Sequence, residues 1–479
     1  MDQIQTNRSA SAYAKFIILP LIGIFAFFID IHLPEYTVMG FTMGARSTIP
    51  INHMTGFIRA LLWDGNVRVM PFVVLAIALY GLVDLIIRRD KHFSNTLGKV
   101  FAIIKIIGVV FIVFAAFNIG PSFMHETRME LAARAMVDGE VEFVPRSISA
   151  FVMNGVLITI SISIPLAAMF LPFLLNYGLV EFVGVLVRPI MRPLFRLPGR
   201  SAVILVSALL GNFSVAHIAV DEQYHKGQMT EREALAICTG FCSSSIAFMM
   251  VLATNAGIIE THWNAYVWTS FLMIIIITLI GVRIPPVSRI RNGYAPGVKP
   301  QPETEYKTKI FDNALSEGLA VSEKADNPVR GIAHIMKATA AVLAAIIMGA
   351  GFSTSAGMLL YIYTPIFEWL GIIFRPIMHL VQIPSHEVVT AATGAAFSLL
   401  EVTIPSMLVM AGDWSYHIRY MMAVVPITSV IFLGSFVPSL ISTNLPVKFW
   451  HLMVIWLERM ILSVLLSGLF ALLLFGIPS

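Results

Sequence analysis

The chain has 479 residues, 57% of them hydrophobic and 13% charged, about half the charge of a soluble globule. Its apolar residues fall in separate runs that approach or exceed the ~20 residues a helix needs to cross a bilayer, which indicates a polytopic α-helical membrane protein and excludes an outer-membrane barrel of alternating strands. The net charge of +4 is concentrated in particular loops, where it reports orientation and not nucleic-acid binding.

Taken in chain order, Arg8 and Lys15 precede an apolar run over residues 16–29. No small-x-small cleavage pattern follows it, so a retained first helix is expected, not a signal peptide. Apolar runs follow at 69–87 and 100–119. Arg88, Arg89, Lys91, Lys99 and Lys105 predict a cytoplasmic loop between them, hence a cytoplasmic N-terminus, and the acidic segment 120–147 is predicted outside. The run 148–175 returns inward to a connection carrying Arg188, Arg192, Arg196 and Arg200. Segment 201–220 holds Leu210-Gly211-Asn212-Phe213 at its middle and is just long enough for two half-helices, which predicts a re-entrant hairpin. That hairpin keeps the basic linker 285–330 in the cytoplasm. Further apolar segments lie at 234–258, 265–282, 332–361, 388–404, 420–440 and 460–475. The sequence contains no Gly-x4-Gly-Lys-Ser/Thr loop, so it encodes no ATP-driven engine of that type.

Two stretches repeat at an offset of about 185 residues. Arg188-Pro189-Ile190-Met191 recurs as Arg375-Pro376-Ile377-Met378. In the same order follow Pro198 and Pro384, Phe213-Ser214 and Phe397-Ser398, Gly227 and Gly412, Thr230 and Ser415, and Ser244 and Ser429. The first copy of the Arg-Pro-Ile-Met element is rich in arginine and the second has Arg375 alone, which predicts opposite membrane orientation, as in secondary transporters with a midplane site. The expected organisation is a scaffold over 1–147, repeat one over 148–284, a cytoplasmic linker over 285–330 and an inverted repeat two over 331–479.

On Leu197-Pro198-Gly199-Arg200 and Leu210-Gly211-Asn212-Phe213-Ser214, together with the hydrophobic patterning, residues 154–255 and 338–444 resemble paired nucleoside-recognition Gate domains. The whole layout is similar to the YjiH-like family of bacterial inner-membrane proteins. The resemblance implies kinship with concentrative nucleoside transporters, with the gates of ferrous-iron transporters and with spore-maturation membrane proteins. It also implies a multi-pass protein of the bacterial inner membrane.

Polar groups at membrane depth usually face a cavity or a partner helix. In the first hairpin these are Asn212, Ser214 and His217, and in the second Thr393, Ser398, Glu401 and Thr403. Aligning Phe213-Ser214 with Phe397-Ser398 sets His217 opposite Glu401, a candidate pair for proton coupling or for holding substrate charge. The helices expected after the hairpins carry hydroxyls at helical spacing, with Ser243, Ser244, Asn255 and Ser429 the strongest binding candidates. Cys238 and Cys242 read as small buried hydrophobes. A metal set would add His217 and Glu222, but no His-x3-His or Cys-x2-Cys pair accompanies them, so no metal site is expected. No Gly-x-Ser-x-Gly elbow or His-Glu-x2-His helix suggests an enzyme.

The expected function is secondary active transport of a small polar solute, nucleoside-like by resemblance, or else an amino acid or small peptide. A proton or sodium gradient would drive it, with no other cofactor. The competing readings are a non-transporting membrane assembly component and a metal-ion permease. The partners expected are the solute, the lipid bilayer and, as an open alternative, further copies of the chain; nucleic acid is not among them.

Overall fold

A computed structural model describes residues 10–38, 41–64, 69–89, 96–137, 140–211, 213–301, 309–410, 412–441 and 443–478. Asn212 and part of the linker around Lys307 lie outside these residues. Among the described residues eight segments are long and apolar enough to cross a membrane. Three lie before the first repeat: α1 (Ala10–Phe28), then, after the short α2 (Pro50–Arg59), α3 (Met70–Ile87) and α4 (Thr96–Phe117).

The first repeat starts with α5 (Ile148–Leu175), in which Pro165 and Pro172 are tolerated because the helix is packed on several sides. It continues with an arginine-bearing arm, α6 (Leu179–Ile190), and the half-helices α7 (Ser201–Leu210) and α8 (Phe213–His225). A broken crossing, α9 (Glu231–Phe241) and α10 (Ile246–Asn255), and then α11 (Trp263–Gly281) complete it. After the linker helix α12 (Ile310–Lys324) the same order returns. A long helix, α13 (Pro328–Tyr363), leads to short arms α14 (Ile366–Gly371) and α15 (Arg375–Leu380), half-helices α16 (Val388–Phe397) and α17 (Thr403–Leu408), a broken crossing of α18 (Tyr416–Ser429) and α19 (Phe436–Ile441), and finally α20 (Phe449–Phe475).

The two ends of each hairpin can be placed by their bonds. At hairpin one, Arg200 at the entry donates to the Gln301 carbonyl (3.2 Å) and Gln228 beyond the exit donates to the Gln301 side chain (3.0 Å). Both ends therefore meet one linker residue, and the segment enters and leaves on the same face. The linker helix α12 packs on α6 and on α1, Arg188 faces Glu317 at 3.9 Å, and Ser322 bonds the Ala12 carbonyl. At hairpin two, the Glu387 carboxylate at the entry accepts from the backbone N–H and the hydroxyl of Ser415 at the exit. Ser415 leads into Tyr416, whose ring lies 5.1 Å from that of His262 in the turn between α10 and α11. Near that turn Trp263 bonds the Phe27 carbonyl at the far end of α1 (2.6 Å). Hairpin two thus opens on the face opposite the linker, and the repeats are inverted.

The opposite face also carries short strands where the sequence reading expected only helices and loops. Strands β1 (Ile31–Leu33) and β4 (Arg46–Thr48), β2 (Tyr36–Val38) and β3 (Phe41–Met43), and β5 (Arg128–Val137) and β6 (Glu140–Arg146) form three antiparallel ribbons. The reason is visible in Glu140-Val141-Glu142-Phe143, whose apolar residues alternate with period two over a segment too short to span. Arg128 of this ribbon bonds Tyr363 at the end of α13 (2.9 Å).

The N-terminal helices do not stand apart as a separate layer. Helix α1 packs on α5, while α3 and α4 pack on α13 of the second repeat. At the α4–α13 crossing a methyl group on Gly108 would collide with the Met348 carbonyl, and one on Gly351 would stand 2.9 Å from the Gly108 carbonyl, so facing glycines let the backbones touch there.

Candidate functional site

The site is built where two hairpin tips and two broken helices reach the interior. The first break covers residues 242–245, between α9 and α10, and serine chemistry makes it. Ser245 adopts an extended conformation and its Oγ caps α10 by accepting from the Phe248 N–H (3.3 Å). Ser243 Oγ donates to the Ile427 carbonyl of the other repeat (2.8 Å). Sequence reasoning placed these hydroxyls along a continuous helix; the structure instead unwinds the chain there, because serine competes for backbone partners.

The second break covers residues 430–435, and tertiary contacts hold it. Val430 sits at φ 65°, a strained value for a β-branched residue. The N–H groups of Leu433 and Gly434 donate to the carbonyls of Leu399 and Leu400 at the tip of hairpin two (2.7 and 3.0 Å). The unwound segment and the open tip thereby satisfy each other's backbone, which a water-poor interior requires.

Glu401 lies in that tip and is buried. Its Oε2 accepts from Ser353 of α13 (2.6 Å), and its Oε1 accepts from the Val402 N–H (3.1 Å) and from Thr403 Oγ1 (3.5 Å). Gly434 backs onto the same carboxylate, since a Cβ there would stand 2.8 Å from Oε2. One carboxylate and two hydroxyls make an oxygen-lined polar point at the tip of an apolar hairpin, a setting suited to a proton or a hard cation.

His217 is fully buried on α8. Its Nδ1 pairs with Ser439 of α19 (3.1 Å), and the Phe436 ring packs edge-on against it at 4.8 Å. Glu401 and His217 have different partners, so the structure does not make a pair of these two symmetry-related positions. What it pairs is helices. The outgoing arm of each hairpin packs on the post-break half-helix of the opposite repeat, α8 on α19 and α17 on α10.

Sequence reasoning missed the residue that joins the two breaks. Arg459, buried in α20, donates to the Gly240 carbonyl (3.2 Å) and the Thr428 carbonyl (2.8 Å), and its Nη1 donates to Thr278 Oγ1 (3.2 Å). Gly240 and Thr428 are near the C-terminal ends of α9 and α18. One guanidinium therefore holds the carbonyl ends of both pre-break half-helices, where cations are favoured. The signal was present, because an arginine within a 27-residue apolar helix is a functional candidate by default. A crevice lined by Thr239, Gly240, Thr278, Glu458, Arg459 and Leu462 adjoins it.

Of the other sequence candidates, Thr403 joins Glu401, and Ser243 joins the interface of the two repeats. Ser244 is buried in the first break. Ser214 is half-buried in the first turn of α8. Ser398 and Ser429 are buried but bond carbonyls of their own helix ends, Ala395 at 2.7 Å and Pro426 at 3.3 Å. Asn255 ends α10, on the order of 14 Å along the helix from the break, with a buried Nδ2 that has no partner. Asn212 lies outside the described residues. The metal grouping dismissed on spacing gains three of its four members: donor atoms of His217, Cys238 and Cys242 all lie within 4.8 Å of one another. Glu222 is exposed and pairs with Lys226.

Residues 103–259 match the family model described as nucleoside recognition, Gate. The matched span begins within α4 and contains the whole of the expected stretch 154–255. An uncharacterized protein of Alkalihalophilus pseudofirmus is 27% identical over 467 residues, 94% of this chain and 92% of its own. Among solved structures, CNTnw in an inward-facing substrate-bound state aligns over 97% of this chain and 91% of its own, with 14% identity and a TM-score of 0.42. A CNTnw variant in an outward-facing state aligns over 98% and 92%, with 14% identity and a TM-score of 0.41.

Proposed function

We propose that this multi-pass membrane protein with a Gate domain is a secondary active transporter of a small polar solute, driven by a proton or sodium gradient. One observation carries the reading. Two inverted repeats each set a re-entrant hairpin against a helix broken at depth, and the hairpin arms cross-pack onto the opposite repeat. Repacking of α8 on α19 and of α17 on α10 would expose the polar breaks first to one face and then to the other. A static membrane scaffold has no use for unwound backbone at that depth.

Glu401, with Ser353 and Thr403, is the proposed ion or proton point, and Ser243, Ser244 and the neighbouring break carbonyls are the proposed solute contacts. Nucleosides are the first solute class by the Gate match, because ribose hydroxyls suit the serine-rich break. Amino acids are the second. The arginines of α6 and the connection after it lie on the linker face, which supports a cytoplasmic assignment for that face.

The test is uptake by proteoliposomes containing the purified chain alone, with nucleosides and amino acids tried under imposed proton and sodium gradients. Gradient-dependent, saturable accumulation of one class is expected. Glu401→Gln keeps the side-chain shape and removes its titration, so uptake is expected to fall at least tenfold or to lose its dependence on pH. Wild-type uptake and an unchanged pH profile in that variant remove the coupling role. If folded wild-type protein moves neither class under either gradient, the assembly-component reading replaces transport.

A further inference from the structure

We propose that His217, Cys238 and Cys242 form a binding site for a thiophilic transition-metal ion of the zinc class. The site sits where the outgoing arm of hairpin one meets the last turn of α9. The inference is independent of what the protein transports.

All three residues are fully buried, and their donor atoms lie within 4.8 Å of one another. An ion at the centre of a triangle of that side is about 2.8 Å from each corner, and zinc wants about 2.3 Å to sulfur and 2.0–2.1 Å to nitrogen. The site therefore needs to contract by about half an ångström or slightly more per ligand, within the reach of side-chain rotation. Cys238 lies in the last turn of α9, Cys242 is the residue that ends that helix at the start of the first break, and His217 approaches from the neighbouring helix α8.

Two further features suit a metal. The imidazole Nδ1 is held by Ser439 at 3.1 Å, which orients the ring, while Nε2 is buried with no hydrogen-bond partner. The surroundings are apolar, with Phe213 and Phe436 against the imidazole at 5.7 and 4.8 Å. In such a place two thiolates and a neutral imidazole around a dication form a neutral unit, whereas an unpaired charge would be costly. Binding converts two thiols to thiolates and releases two protons. Asp221, one turn beyond His217 on α8, pairs with His225 at 3.2 Å on the stretch of that helix leading toward the linker face. Three protein ligands leave a fourth tetrahedral position open.

The test uses the full-length purified protein, reduced and chelator-treated, and titrates it with cobalt(II) and then zinc(II). Because the chain contains only these two cysteines, a thiolate-to-cobalt charge-transfer band has no other source. The expected result is one cobalt per chain with that band, displaced by one equivalent of zinc. Zinc is also expected to slow alkylation of the thiols in unfolded-protein-free samples at least tenfold. His217→Gln should keep a band but weaken cobalt binding at least tenfold, and Cys238→Ser together with Cys242→Ser should abolish the band and the high-affinity zinc site. A monodisperse wild-type protein that shows no saturable cobalt band overturns the proposal. So does a double serine variant that keeps full zinc affinity, which would put the ion elsewhere.

Discussion

The two breaks occupy equivalent places in the inverted repeats and are made in opposite ways. The first, at 242–245, is made mainly by local chemistry: a serine caps the following half-helix, and Ser243 adds one bond to the other repeat. The second, at 430–435, is imposed. Its entry residue, Val430, takes a strained backbone angle, and its N–H groups are taken up by the tip of hairpin two. The difference teaches that one architecture can be kept by intrinsic preference in one copy and by tertiary partners in the other. It also frees the copies to differ in chemistry. The first holds an imidazole and two thiols, and the second holds a carboxylate with two hydroxyls.

The inversion that relates the breaks can be tested all-or-none. In a background with Cys238→Ala and Cys242→Ala, Lys299→Cys on the linker side and Glu126→Cys beside the β5–β6 ribbon should react with an impermeant reagent from opposite sides of the membrane. Labelling of both from the same side would break the comparison at its root.

Arg459 should have the next largest effect because it serves both breaks. Arg459→Met removes charged hydrogen bonds to Gly240 and Thr428, each worth ~1.5–3 kcal/mol, partly offset by relief of the buried charge, for a net loss of ~2–4 kcal/mol. Thermal unfolding in detergent measures it. A loss below about 0.5 kcal/mol would show that the two breaks do not depend on a shared clamp.

Gly434→Ala should act on the second break alone. Its methyl group meets Glu401 Oε2 at 2.8 Å and the Leu400 carbonyl at 3.0 Å, an overpacking that costs ~1–3 kcal/mol. Under the proposed ion-coupled transport the same variant should also disturb the ion dependence of uptake, and full stability with unchanged uptake would separate Gly434 from the carboxylate. Ser243→Ala should be the mildest change. It removes the 2.8 Å bond to the Ile427 carbonyl, for about 1 kcal/mol, and unfolding midpoints compared with those of Ser429→Ala, whose bond is only to its own helix, would show whether the cross-repeat bond is the stronger one.

Much of this molecule was legible in the amino-acid order. The spans, the hairpin at Gly211, the collinear repeat and the opposed charge of its two copies all follow from properties that act locally: apolar length, turn residues and arginine placement. The place of Glu401, an ionisable residue inside an apolar hairpin, could be read for the same reason, and its role is part of the proposal. The short ribbons were missed because a weak period-two pattern in a polar loop is easily outweighed by the surrounding apolar runs, and Arg459 because a single charge hardly changes the hydropathy of a long helix.

What the order of residues could not decide is which polar groups meet. Ser353 reaches Glu401, Ser439 holds His217, and Arg459 gathers carbonyls of Gly240 and Thr428 from the two repeats. Such partners lie tens to hundreds of positions apart, with no spacing rule to connect them. Cys238 and Cys242 look like ordinary small core residues until α8 brings His217 beside them. Local sequence determined which segments are long and apolar enough to enter the membrane. Only the packing of one repeat against the other decided their chemistry, because a buried polar group must find its partner wherever the fold puts one.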